Sequence, residues 1–277
     1  MKLNDTYQLI KTDDGTYSLH SNTFDQLMHS TDGAYLESVN KHVLASNVLQ
    51  LNQASINILD VGFGIGYNVL ATLCEKKCST IKKINIISLE YDNTALQFMS
   101  QLKFNNEMAT QYNKIMYAFK SGVYQDESTY IKVLFGDARE NITTLEKKSF
   151  DAIYQDAFSP AKNCELWSVN YFKQLYNILK DNGVITTYSA ALQVRRAMIE
   201  ANFFVTNFKN KNMIKNGTLA KKKYTNDSLT QEEIAAIFDE IKSTPYYDEN
   251  LILPRDEILE NRKKEMKAKR EQRKNLV

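Results

Sequence analysis

The sequence predicts an α/β fold built on a seven-stranded, mostly parallel sheet, and three features of the 277-residue chain carry that reading. From Ile56 onward, short apolar runs alternate with helical segments, the order expected of a parallel sheet covered on both faces. The apolar run Asn57-Ile58-Leu59-Asp60-Val61 passes straight into a glycine-spaced turn, Gly62-Phe63-Gly64-Ile65-Gly66-Tyr67-Asn68, and Val69-Leu70-Ala71-Thr72-Leu73 then begins a helix. Acids stand at or near the ends of successive strand runs, on the sheet edge where such folds bind ligands.

Taken in order, residues 7 to 20 read as two strands around the turn signal Asp13-Asp14-Gly15, a hairpin outside the main sheet. A helical segment follows Gly33-Ala34 and ends near Leu49. Strands are expected at 56–60, 84–90, 130–135, 151–155 and 183–188, with helices starting near Tyr67, Asn93, Ala138, Ser168 and Ala190. Strands near 203–208 and 218–224 would complete the sheet. The chain thus divides into an N-terminal hairpin and helix extension (1–50), a central α/β domain (51–225) and a helical, basic tail (226–277).

Composition narrows the function classes. Hydrophobic content of 43% and charged content of 25% are ordinary for a water-soluble globular protein. No apolar run approaches the ~18 residues of a membrane span, and Met1-Lys2-Leu3-Asn4-Asp5 lacks a signal-peptide core, so the cytoplasm is the expected compartment and no membrane partner is expected. Three cysteines, with Cys74 and Cys78 expected on one helix face and Cys164 apart, make no disulfide framework, and three histidines leave little material for a metal site. The net charge of +2 is unevenly spread: Lys209, Lys211, Lys215 and Lys221-Lys222-Lys223 form one basic stretch, and Arg262-Lys263-Lys264 through Lys274 another. Phosphate contact and a solvated helix face are the two readings of such runs, and for the first we expect tRNA binding.

The glycine spacing points to a ligand. Acid-x-Gly-x-Gly-x-Gly, here Asp60 to Gly66, suits S-adenosylmethionine, which carries an ammonium and a sulfonium; Gly66 falls one residue too early for the Gly-x-Gly-x-x-Gly pattern of pyrophosphate sites. Glu90, with Tyr91 beside it, ends the second strand and is placed to accept ribose hydroxyls. Asp137, followed by Ala138, ends the third and could accept an adenine amino group. A helix N-cap is the other reading of both Asp92 and Asp137. After the fourth strand, Asp156-Ala157-Phe158-Ser159-Pro160 offers an acid and an aromatic where an amine must lose a proton before it is methylated. The competing reading makes Asp156 a turn cap.

Together these stretches resemble the methyltransferase domain of the bacterial tRNA 5-methylaminomethyl-2-thiouridine methyltransferases, the MnmC type, including its stand-alone forms. The matching text comprises Asp14-Gly15, Ser18-Leu19-His20-Ser21, Met28-His29-Ser30, Gly33-Ala34 with Glu37, Gly62 to Asn68, Asp156 to Asn163 with Leu166-Trp167, Thr187 to Ala191 and Val194-Arg195-Arg196, spanning about residues 8 to 200. The resemblance implies a Rossmann-like class I S-adenosylmethionine-dependent methyltransferase acting on the aminomethyl group of a wobble uridine. It sets Asp60, Gly62, Phe63, Gly64, Gly66, Asn68, Glu90, Tyr91, Asp137 and Ala138 around the cofactor and Asp156 beside the amine, as the catalytic residue. Phe158, Lys162, Tyr188 and Arg195 line the substrate mouth. The implied partners are a tRNA anticodon stem-loop and a separate enzyme that makes the aminomethyl group, since no flavin oxidase domain is expected in 277 residues. Asp60 stands where the family often has Glu, and 210–219 departs from the family's pattern, whereas Thr244 to Glu260 resembles the end of some stand-alone members. Alternative functions are methylation of a small-molecule or protein amine, and a non-catalytic RNA-binding cofactor sensor.

Overall fold

A computed structural model describes residues 7–76, 79–91, 93–208 and 217–275. Cys78, Asp92, Lys209, Lys211, Lys215 and the rest of 209–216 lie outside the described residues.

The chain begins with β1 (Tyr7–Lys11) and β2 (Tyr17–Ser21), an antiparallel pair turned at Gly15, and the short β3 (Gln26–Leu27) adds a third strand to this small sheet. Helix α1 (Ala34–Ser38) runs on into a π-helical stretch, Val39–Leu44. The main sheet then starts with β4 (Ser55–Val61), followed by α2 (Tyr67–Glu75) and β5 (Lys83–Glu90). Next come α3 (Leu96–Met99), α4 (Asn106–Ser121), β6 (Val123–Gln125), β7 (Thr129–Phe135), α5 (Ala138–Asn141) and β8 (Phe150–Gln155). Helix α6 (Val169–Ile178) leads into β9 (Leu179–Thr187), α7 (Leu192–Glu200), β10 (Phe204–Phe208) and β11 (Gly217–Lys221), and the tail adds α8 (Gln231–Asp239) and α9 (Arg255–Lys274).

The main sheet has eight described strands in the order β10-β11-β9-β8-β4-β5-β7-β6. Strands β9, β8, β4, β5 and β7 are parallel, and β6, β10 and β11 run antiparallel to their neighbours. One strand more than expected is present because β6 has only three residues, too few to show a period, and forms an edge after Gly122 turns the chain at φ 83°. The helix expected from Asn93 is two helices; the second is capped by Asn105, whose side chain accepts from the Met108 N–H at 3.1 Å.

Both faces of the sheet are buried, as its continuous apolar strands require. Ile56, Ile58 and Tyr154 pack toward α2 and α4 on one face, while Leu59, Val61 and Ile153 meet Trp167, Phe172 and Val194 on the other. Chain order runs outward from β4 in both directions, so the sheet's switch point lies between β4 and β8, and a crevice opens there at the carboxyl ends.

Candidate active site

That crevice holds a cavity of ≈ 590 Å³, within the range that encloses a ligand of drug size. Its floor is the glycine turn, and the three glycines differ in purpose. A side chain at Gly62 would place Cβ 2.7 Å from the Asp156 carbonyl oxygen, so the loops after β4 and β8 can lie this close only with a bare backbone there. Gly64 lines the cavity and donates its N–H to Glu90 Oε2 at 2.8 Å. Gly66 caps α2 at φ 85°, and a Cβ there would lie 2.7 Å from Ile115 Cγ2. Phe63 points away from the cavity into the core, stacked on Phe119 with ring centroids 5.0 Å apart.

The acids separate in the same way. Asp60 does not face the cavity: it is fully buried inside β4, accepting from Asn68 Nδ2 and Ser88 Oγ, each at 3.0 Å. The strand runs one residue past Asp60, to Val61, so the alternation of side chains turns the carboxylate beneath the glycine turn. Burial pushes its pKa up to about 7, and the two hydrogen bonds offset this only in part. Glu90 and Tyr91 line the cavity; Glu90 Oε1 accepts from the Tyr91 N–H at 2.7 Å, which holds the carboxylate across the strand end.

Asp137 and Ala138 also line the cavity, and Asp137 serves as N-cap of α5, accepting from the Arg139 N–H at 2.8 Å. The Arg139 guanidinium grips Asp137 at 2.7 Å and the fully buried Asp248 at 2.8 Å. Asp248 in turn accepts from the N–H groups of Ile252 and Leu253 at 2.9 and 3.0 Å. This clasp carries Pro254, Arg255 and Asp256 to the cavity wall.

Across the cavity stands Asp156, its side chain 12% exposed. The Asn68 amide donates to Asp60 Oδ1 and, at 2.9 Å, to Asp156 Oδ2, so a single NH₂ group joins both carboxyls. His42 lies behind Asp156, Nε2 3.6 Å from Oδ1, and His29 lines the cavity nearby. Burial opposes the Asp156 charge, but His42, His29 and the Asn68 bond outweigh it and hold the carboxyl below its usual range. The His29 imidazole is pushed toward its neutral form by burial.

Phe158 and Phe24 stack at 4.4 Å between centroids, tilted by 20°, and both line the cavity. The N-terminal sheet is docked against this loop: the Ser159 N–H donates to Gln26 Oε1 at 3.1 Å. Tyr188 also lines the cavity and donates its hydroxyl to the Ala157 carbonyl at 2.9 Å.

Two expected mouth residues lie elsewhere. Lys162 is outside the cavity wall, 3.7 Å from Asp25, and Arg195 is turned to Thr218 Oγ1 at 3.2 Å, because helix α7 carries it toward β11. The lysines after β11 are farther still. Lys221 pairs with Val184 within β9, Lys222 reaches the Leu179 carbonyl at the amino end of that strand and sits 4.5 Å over the Tyr176 ring, and Lys223 donates to Asn182 at 2.7 Å. They occupy the sheet edge opposite the cavity, which removes the geometric reason for a tRNA contact there. Of the terminal run, Arg262 donates to the Thr244 carbonyl at 2.6 Å, and Lys269 pairs with Glu265 at 2.7 Å.

Sequence reasoning missed His42, Phe24 and the 254–256 wall, and gave His29 no role. One signal was present: all three histidines, His20, His29 and His42, precede the main sheet, which starts at Ser55.

Residues 100–223 match the family described as S-adenosyl-L-methionine-dependent methyltransferase. An uncharacterized protein of Methanocaldococcus jannaschii is 28% identical over 264 residues, 94% of this chain and 73% of that protein. The tRNA 5-methylaminomethyl-2-thiouridine biosynthesis bifunctional protein MnmC of Burkholderia multivorans is 28% identical over 207 residues, and the match spans 69% of this chain but only 31% of that relative's length. Among solved structures, MnmC2 from Aquifex aeolicus superposes with a TM-score of 0.83 at 26% identity, covering 96% of this chain and 87% of that one.

Proposed function

We propose that the chain, which is similar to the MnmC proteins, is an S-adenosyl-L-methionine-dependent methyltransferase of the primary amine of a 5-aminomethyluridine, with or without a 2-thio group, at the wobble position of tRNA. The observation that supports this most is Asp156: an anionic carboxylate on the cavity wall, facing the glycine turn at the switch point and flanked by stacked aromatics. Bound S-adenosyl-L-methionine supplies an electrophilic methyl group.

The residues fit that cofactor. Gly62 and Gly64 present bare backbone to the cavity. Both Glu90 oxygens accept from backbone N–H groups, which holds the carboxylate on the cavity wall where ribose hydroxyls would bind, and Asp137 keeps an exposed edge beside Ala138 for an adenine amine. Asp60, Phe63, Gly66 and Asn68 act on this half from below, by shaping the turn rather than touching the ligand.

The rest of the reaction falls to the acceptor half. Asp156 accepts an N–H of the entering amine, aims its lone pair and draws off the proton that must leave before the nitrogen is a nucleophile. Positioning contributes much of the rate in such a direct transfer. Phe158 and Phe24 offer ring faces for the unstacked base of an anticodon loop, and Tyr188 holds the Asp156 loop by its carbonyl.

The test is nucleoside analysis of tRNA from cells lacking the gene, followed by incubation of that tRNA with the purified protein and S-adenosyl-L-methionine. We expect aminomethyluridine to accumulate in the cells and to be converted to the methylaminomethyl product in vitro. An unchanged nucleoside profile, with methyl incorporated into a small amine or a protein instead, would overturn the proposal.

A further inference from the structure

We propose that His42 is the proton reservoir of this site, a positioning residue that receives through Asp156 the proton shed by the acceptor amine. The inference rests on the reading of the site as an amine methyltransferase.

His42 lies on the π-helical stretch Val39–Leu44, a form of helix that often marks functional positions. Its ring is 1% exposed and held from two sides: Nδ1 is 2.9 Å from Thr186 Oγ1, a residue 144 positions away, and the Tyr154 ring packs at 5.2 Å. The other nitrogen, Nε2, has no hydrogen-bond partner among the described residues and stands 3.6 Å from Asp156 Oδ1. A buried nitrogen without a partner is costly unless it is used, and the carboxylate on the cavity wall faces it. The titratable groups facing His42 are Asp156 from the loop after β8, Tyr154 from β8 and, across Asp156, His29 from the loop before α1.

The chemistry explains the arrangement. An aminomethyl group enters as an ammonium, and its proton must be held somewhere while the nitrogen bonds to carbon. Asp156, whose Oδ2 already accepts from the Asn68 amide at 2.9 Å, is a good acceptor of hydrogen bonds but a weak holder of a proton. In the step we assign, one ammonium N–H proton passes to Asp156 Oδ1 and on to His42 Nε2. The ammonium becomes a neutral amine, the imidazole becomes an imidazolium, Asp156 is again an anion, and no electron changes owner. The closeness of Nε2 to Oδ1 lets the carboxylate regain its charge, and with it the orienting bond to the amine, once the proton has moved on.

Ring ¹⁵N spectra of histidine-labelled protein from pH 5 to 9 test the idea without substrate, because only three histidines contribute and His20→Gln and His29→Gln assign them. Replacing Asp156 by Asn should displace the His42 Nε2 curve while leaving that of the surface His20 in place. Superimposed His42 curves in the two proteins would overturn the proposal. In tRNA methylation, His42→Gln should lower kcat by about 10²-fold, the scale of a lost acid–base partner. It should also change the acid limb of the kcat profile, with KM and S-adenosyl-L-methionine affinity held within about threefold. A kcat within twofold of wild type at every pH would equally overturn it. If the wild type moves no methyl to tRNA, the functional reading fails, and the spectra still decide whether His42 and Asp156 share a proton.

Discussion

Asp60 and Asp156 stand at or just beyond the carboxyl ends of neighbouring strands and share the amide of Asn68, yet their surroundings push them in opposite directions. Around Asp60 burial dominates, the neutral amide and hydroxyl that bond to it offset this only in part, and the nearby Asp156 charge adds to it, so its pKa rises to about 7. Around Asp156 burial is opposed by two histidines, and the carboxyl falls below its usual range. Burial alone therefore does not decide which acid is charged; the groups set around each carboxyl do. The first carboxyl is tied into the glycine turn, and the second is the one we propose for the chemistry of the acceptor.

The sharpest way to break this contrast is to remove each acid. Asp156→Ala should reduce turnover by roughly 10²-fold or more with little change in cofactor affinity. Turnover within about twofold of wild type would leave Asp156 as a loop cap whose loss costs ~1 kcal/mol of stability.

A substitution on the cofactor side should divide the other way. Gly64→Val adds a branched side chain where a Cβ already meets Met28 Sδ at 3.2 Å, at φ 56° and on the cavity wall. Loss of S-adenosyl-L-methionine binding in calorimetry, by tenfold or more, is expected from a protein that still melts cooperatively. Undiminished binding would place the cofactor elsewhere.

Asp60→Asn tests the raised pKa itself. The folded protein holds a proton on Asp60 up to about pH 7, whereas the unfolded chain releases it near pH ~4. The stability this proton confers is complete below pH ~4 and is lost as the pH climbs to 7. Asparagine does not titrate, so the stability of the variant relative to wild type should rise across this window, by on the order of 4 kcal/mol, and level off above it. Denaturant titrations at pH 4.5, 6 and 8 would read the slope; a constant difference would mean that Asp60 is ionised throughout.

The smallest effect should come from the far edge of the sheet. Replacing Lys221, Lys222 and Lys223 by Ala is expected to leave the salt dependence of tRNA binding unchanged, because Lys222 and Lys223 are engaged with Tyr176 and Asn182, away from the cavity. Lys162→Ala, on the Asp156 loop, should flatten the slope of log K against log salt by up to ~0.9 units. A filter-binding series that shows the reverse would move the RNA path to the opposite edge.

The parallel sheet, the glycine turn and the strand-end acids Glu90 and Asp137 were legible because each is a local event, encoded in apolar period, glycine spacing and position after a strand. Even there the reading stopped at the residue scale: that β4 runs on to Val61, which turns Asp60 beneath the loop, depends on pairing with β5 and β8.

Contacts between distant segments were beyond reach. Phe24 meets Phe158 because the small N-terminal sheet docks on the Asp156 loop, and Pro254 to Asp256 reach the cavity because Arg139 clasps Asp248. His42 and His29 carry no local pattern that aims them at a carboxylate more than a hundred positions ahead. The amino-acid sequence by itself determined the fold class and the cofactor turn, since periodicity and backbone freedom act between near neighbours. Only the tertiary structure decided which of the two linked acids is charged, since that depends on the histidines that folding brings against Asp156 and withholds from Asp60.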